Sequence, residues 1–177
     1  MVTYIWLFPL LFIFHDMEEI VGFMPWMNKH KQLLQEKAPL FLKLHDGLST
    51  EGFASAVFEE LIIVLIFSLV ALIGHHRILY LIWLGGFVAY TLHLLVHILQ
   101  SLFFRQYIPS LATYLICLPI SCWVTGKVSL LLQFNRAELL VFSVIGCLIV
   151  GINLILALTL GKQFSKWLEK KKLLYRN

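Results

Sequence analysis

The chain has 177 residues, of which 60% are hydrophobic and only 14% are charged, and its formal net charge is +4. Its mean hydropathy of +0.85 and this composition exclude an ordinary soluble domain and indicate a membrane protein. The basic residues lie in short loops and in the C-terminal tail rather than along one polar face, so the sequence predicts no nucleic-acid partner.

Five segments contain the roughly 20 mostly apolar residues that a membrane-spanning helix requires. They cover about residues 3–25, 51–74, 78–104, 109–126 and 138–161. Residues 28–49 alternate leucine and phenylalanine with lysine, which predicts an interfacial helix or loop, and residues 162–177 form a basic tail. The sequence therefore predicts an all-α fold, a polytopic membrane helix bundle with five transmembrane helices in one domain that covers residues 1–177.

The distribution of loop charge predicts the orientation of these helices. Eleven of the 14 lysines and arginines lie in the first loop, the third loop and the tail, whereas Arg77, Lys127 and Arg136 lie on the opposite side. Lysine and arginine are retained on the cytoplasmic side of a membrane. We therefore expect the N-terminus outside and the C-terminus in the cytoplasm.

Acidic residues interrupt the first two predicted spans. Asp16, Glu18 and Glu19 lie in the first and Glu59 and Glu60 in the second, whereas no lysine or arginine lies at comparable depth in any span. Five unpaired acids in hydrocarbon would cost on the order of 10 kcal/mol or more. Protonation, water or a bound cation must offset this cost.

Histidines accompany these acids on helix faces that the spacing defines. His15, Glu18 and Glu19 stand at positions i, i+3 and i+4 and share one face of the first span. His93 and His97 stand one turn apart on the third span and point the same way. We expect the two faces to meet inside the bundle.

On the second span a stripe of small residues includes Gly52 and Ala56 and continues to Glu59. Small residues let helices approach closely in lipid, so Glu59 lies on the predicted packing face and Glu60 beside it. Whether Glu60 or Asp16 joins the site stays open at this stage.

Depth in the membrane supports one shared site. Counted from the cytoplasmic helix ends, the candidate groups fall within a slab about 6 Å thick. These predicted metal-site residues are His15, Glu18, Glu59, His93 and His97.

The segment from His15 to Glu19 reads H-x-x-E-E, and with it the chain resembles the HXXEE-domain family of small bacterial integral membrane proteins, which is functionally uncharacterised. The resemblance extends over about residues 8–120, because Glu59 and the two histidines occupy the next two spans. It implies that the motif holds the defining positions and that the protein lies in the bacterial cytoplasmic membrane, but it supplies no known reaction.

A looser resemblance is to intramembrane metalloproteases of the CAAX-processing type, which also combine a Glu-Glu pair with two later histidines. That family has an arginine four residues after the pair, where this chain has Phe23. The resemblance therefore carries no peptidase activity over to this chain.

These residues favour a metal-dependent enzyme that acts on a lipid or lipid-linked substrate by hydrolysis or acyl transfer. The candidate ligands are three neutral imidazoles and one carboxylate, from His15, His93, His97 and either Glu18 or Glu59. Such a set makes a tetrahedral site with room for water, for which zinc is favoured and iron is an alternative. The remaining carboxylate, Glu19 by preference and otherwise Glu18, would accept the proton from that water.

Three other functions stay open. A larger set of the same residues could hold two irons in a membrane oxidoreductase. The acids and histidines could instead form a proton or divalent-cation relay for transport or sensing, for which five spans are few unless the chain forms a homo-oligomer. In a membrane adaptor the polar residues would only fix helix packing.

Overall fold

The computed structural model describes residues 1–174, and every regular element in that part of the chain is an α-helix. The helices are α1 (Val2–Lys29), α2 (Lys31–Lys37), α3 (Pro39–His45), α4 (Thr50–Gly74), α5 (Arg77–Phe104), α6 (Leu111–Leu131) and α7 (Arg136–Leu174). The predicted all-α fold is confirmed. Of the predicted basic tail, residues up to 174 continue helix α7, whereas Arg176 lies outside the described residues.

Four helices, α4, α5, α6 and α7, are long and apolar enough to cross a membrane. These four correspond to the second to fifth predicted spans. The first predicted span, about residues 3–25, forms the 28-residue helix α1, but α1 is not one of the four because its middle carries Asp16, Glu18 and Glu19. That α1 crosses the membrane therefore stays a prediction, and so does the orientation of the two termini.

The five long helices form a closed ring in which α1 packs on α4, α4 on α7, α7 on α5, α5 on α6, and α6 on α1, and α4 also contacts α5. Glycines set two of these contacts. A Cβ atom on Gly52 would lie 2.5 Å from the carbonyl oxygen of Gly161, and a Cβ on Gly161 would lie 2.5 Å from that of Gly52. A Cβ on Gly146 would lie even closer to the carbonyl oxygen of Gly85, so backbone meets backbone between α5 and α7 as well.

The predicted interfacial segment, residues 28–49, contains the end of α1 and the two seven-residue helices α2 and α3. Pro39 begins α3, where its missing N–H is not needed by the helix. The ring of Phe23 in α1 stacks on Phe53 in α4, with centroids 5.0 Å apart, and meets Phe41 and His45 of α3 edge-on. Helix α3 is thereby held against the end of the helix ring.

The loop between α5 and α6 folds back along α1. Arg105, which follows the last residue of helix α5, has a left-handed conformation with a φ of 53°. Pro109 packs so closely on Gly22 that a Cβ atom on Gly22 would lie 2.5 Å from the proline ring. Ser110, buried and also left-handed with a φ of 90°, then begins α6 beside the acidic part of α1.

Candidate metal centre

Four side chains from α1 and α5 converge inside the ring. One ligand atom from each of His15, Glu19, His93 and His97 lies within 4.8 Å of all the others. We call these four residues the His–Glu cluster. His15, Glu19 and His97 are buried and His93 is half-buried, so the group could hold a metal ion away from bulk water.

Glu19 lies at the centre of the cluster. Its Oε1 atom is 3.0 Å from Nε2 of His97 and 3.9 Å from Nε2 of His15. The hydroxyl of Ser110, which also contacts the carbonyl oxygen of Pro109, lies 3.0 Å from the same Oε1 and can donate to it. Glu19, predicted as the base, is thus placed among the potential ligands.

The two histidines of α5 meet as their spacing predicts. The Nε2 atoms of His93 and His97 are 2.9 Å apart. Two ligands on one tetrahedral zinc are about 3.3 Å apart, so small rotations of these side chains suffice to bind an ion. The His97 ring stacks on Tyr114 of α6, with centroids 6.0 Å apart and planes at 15°.

Glu18, predicted as a ligand, lies outside the His–Glu cluster and supports it instead. Its Oε2 atom accepts from the hydroxyl of Thr113 at 2.8 Å and from the Thr113 backbone N–H at 3.0 Å. The Thr113 hydroxyl oxygen in turn lies 3.2 Å from Nδ1 of His15. Because the Thr113 hydroxyl donates its hydrogen to Glu18, its oxygen can accept a hydrogen bond from Nδ1–H of His15. In this tautomer the lone pair lies on Nε2 of His15, which is directed at the cluster.

Glu59, the other predicted carboxylate ligand, also lies apart from the cluster. Its Oε2 atom accepts from the side-chain amide of Asn153 on α7 at 3.2 Å. The predicted packing face is the cause, since Gly52 and Ala56 on that face turn toward α7 and carry Glu59 with them.

A cavity of about 220 Å³ adjoins the cluster between α1, α3, α4, α5 and α7. Glu19, His93 and His97 line it, and so do Asp16 and Glu60, the two acids that sequence spacing could not assign. Asp16 is only 4% exposed. The only sequence signal for this pair was the excess of acids over bases within the spans.

Two groups outside the five long helices have displaced pKa values. Burial lowers the pKa of His45, which lines the cavity from α3, below its ordinary range. A hydrogen bond from its hydroxyl to Glu18 raises the pKa of Tyr107, in the loop between α5 and α6, to about 12. The lowered pKa favours the neutral form of His45, and the raised pKa of Tyr107 keeps its hydroxyl protonated as a donor to Glu18.

Thr113 and Ser110 were not found by sequence reasoning, because a lone hydroxyl residue at the start of an apolar helix is a common cap. The arrangement combines three imidazoles with one carboxylate, a donor set that suits zinc or iron.

A model of a family described as proteins of unknown function with an HXXEE motif matches residues 6–124. No curated protein and no solved structure matches the chain significantly. With the family's motif inside that match, at His15, Glu18 and Glu19, the chain belongs to the HXXEE family.

Proposed function

We propose that the protein is a metal-dependent membrane enzyme that hydrolyses, or transfers an acyl group from, a lipid or lipid-linked substrate. The observation that carries this proposal is the His–Glu cluster, whose four ligand atoms lie within 4.8 Å of one another beside a cavity of about 220 Å³. A packing role alone does not require three imidazoles and a carboxylate around one point.

The charge of the cavity supports a bound cation. Asp16, Glu19 and Glu60 line it, and no lysine or arginine does so among the described residues. A bound zinc or iron ion would offset part of this charge, polarise a carbonyl or phosphoryl oxygen, and lower the pKa of a water molecule. The carboxylates in the same cavity are the proton acceptors that this chemistry needs.

The shape of the cavity supports a substrate with an apolar chain. It shares Phe41, Val96 and Gln100 with an open groove between α3 and α5. On the inner side it shares Glu60 and His93 with a smaller pocket of about 70 Å³, whose lining is mainly apolar. A chain that entered from the lipid through the groove would pass the His–Glu cluster before reaching the inner pocket.

The proposal includes an orientation with the N-terminus outside and the C-terminus in the cytoplasm of a bacterial cell, in its cytoplasmic membrane. It is supported by the excess of lysine and arginine in the segment that contains α2 and α3, in the loop after α5, and in the C-terminal part of α7 with the tail. Labelling of single cysteines at Lys37 and Lys127 with an impermeant maleimide tests it, since only the second should react in intact cells.

Elemental analysis of the detergent-purified protein is the first test of function. We expect zinc or iron at a stoichiometric level in the wild type and a loss to background in a His93→Ala/His97→Ala double variant. The matched control is His75→Ala/His76→Ala, which removes two exposed histidines from the loop between α4 and α5. Equal metal content in both double variants would refute the assignment of the cluster.

The second test concerns the reaction. Purified protein is incubated with isotope-labelled bacterial lipid extract, and products are identified by mass spectrometry with and without a chelator. Chelator-sensitive products that the His93→Ala/His97→Ala variant does not form support the enzyme. Proton or divalent-cation flux in liposomes without any lipid product would instead favour transport and contradict the proposal.

A further inference from the structure

The acids beside the His–Glu cluster have an arrangement that the first cation does not explain. Asp16 is 4% exposed, lines the cavity, and its Oδ2 atom has no hydrogen-bond partner among the described residues. Glu60 borders the same cavity from α4. A buried carboxylate oxygen without a partner is unfavourable in a low-dielectric site, so a proton, a water molecule or an ion must offset it.

A proton shared between the two carboxyl groups is the simplest alternative. A shared proton would satisfy the two acids without a second ion, so the purified protein would then hold one ion per chain rather than two. A second ion is the other possibility, since carboxylate oxygens that line one cavity are ligands for hard and borderline divalent ions.

Glu19 connects this space to the His–Glu cluster. Its Oε1 atom takes the contacts to His97 and Ser110, whereas its Oε2 atom accepts no hydrogen bond from the described residues. Asp16 and Glu19 stand three residues apart on α1 and line one cavity. A carboxylate with one oxygen in each of two sites is a common bridge in centres whose metal ions are about 3.5–4 Å apart.

We infer that Asp16 and Glu60 bind a second divalent transition-metal ion, with Glu19 shared between it and the ion of the His–Glu cluster. The inference rests on the proposed function only in that the first ion occupies the cluster. The second site is rich in carboxylate oxygen, so it suits Mn²⁺ or Fe²⁺ as well as Zn²⁺.

The test counts ions in detergent-purified protein that has been stripped with a chelator and reloaded with Mn²⁺. We expect about two ions per chain in the wild type, with the electron paramagnetic resonance spectrum of an exchange-coupled pair. Asp16→Asn and Glu60→Gln should each lower the content to about one ion and give the six-line spectrum of isolated Mn²⁺. The matched control is Glu59→Gln, which changes the adjacent carboxylate that faces Asn153 and should keep both ions.

One ion per chain in the wild type, with an uncoupled spectrum and no change in the Glu60→Gln variant, would overturn the second site and leave the proposed function standing. No bound ion in any form would overturn both. The wild-type spectrum decides the matter even if a variant fails to fold, since coupling requires two neighbouring ions.

Discussion

Nδ1 of His15 on α1 lies 3.2 Å from the hydroxyl oxygen of Thr113 on α6, and the same hydroxyl donates to Glu18 at 2.8 Å. Thr113 thus connects the histidine of the HXXEE motif, His15, to the first glutamate of the motif, Glu18. The motif therefore contributes His15 and Glu19 to the cluster and uses Glu18 to orient His15. Outer partners of this kind fix the tautomer and direction of a ligating imidazole.

Thr113→Val should weaken metal binding about 10- to 100-fold, because the variant keeps the side-chain shape and removes the hydroxyl that positions His15. Competition with a chelator of known affinity measures the change. Thr159→Val is the control, since that hydroxyl is exposed and bonds only to Ile155 of its own helix. Equal affinities in the two variants would show that Thr113 does not orient the ligand.

Ser110→Ala should destabilise the protein more than Ser110→Gly, by about 1 kcal/mol. Both substitutions remove the hydroxyl beside Glu19, but only glycine adopts a φ of 90° without a steric penalty from Cβ. Denaturant unfolding in detergent, followed by helical circular dichroism, gives the two free energies. An alanine variant as stable as the glycine variant would contradict the strain at this position.

Gly146→Ala should lower the stability by about 1–3 kcal/mol, because its Cβ would overlap the backbone of Gly85 and force α5 and α7 apart. Gly151→Ala, five residues later on the same helix, is the control. A Cβ there meets no atom within 4 Å, so this variant should match or exceed the wild-type stability. Thermal unfolding in detergent measures both, and equal losses would argue against the close helix contact.

The hydrogen bond from Tyr107 to Glu18 should make stability depend on alkaline pH. The pKa of Tyr107 is raised to about 12 in the folded protein from about 10 in the unfolded chain. A group whose pKa is raised on folding contributes its full stabilisation at pH values below its pKa in the unfolded chain. The contribution of Tyr107 should therefore persist below pH about 10 and disappear as pH rises through about 12.

The measurement is the thermal unfolding midpoint of the wild type minus that of Tyr107→Phe, which lacks the donor. The difference should be constant below pH about 10 and fall above it. Absorbance titration of the tyrosines gives a second test, since Glu18→Gln should lower the raised pKa of Tyr107. A midpoint difference that does not change with pH would remove Tyr107 as a donor to Glu18.

The sequence by itself determined the helical class, the apolar helices and the residues that share each helix face. Hydropathy over about 20 residues and the 3.6-residue period are local properties, so they are present before any helix meets another. His93 and His97 could thus be paired on α5 from spacing alone, and His15 with Glu19 on α1. The excess of acids over bases in the spans could be counted in the same way, and it indicated that protonation, water or a bound cation must offset their charge.

Only the tertiary structure decided which of two neighbouring acids faces the cavity. Glu59 and Glu60 differ by 100° around α4, and spacing fixes that angle without fixing the rotation of the whole helix. The contact of Gly52 with Gly161 sets the rotation, turns Glu59 toward Asn153, and leaves Glu60 on the cavity. On α1 the packing against α6 likewise draws Glu18 to Thr113, because residues far apart in sequence determine which hydrogen bonds a helix face can make.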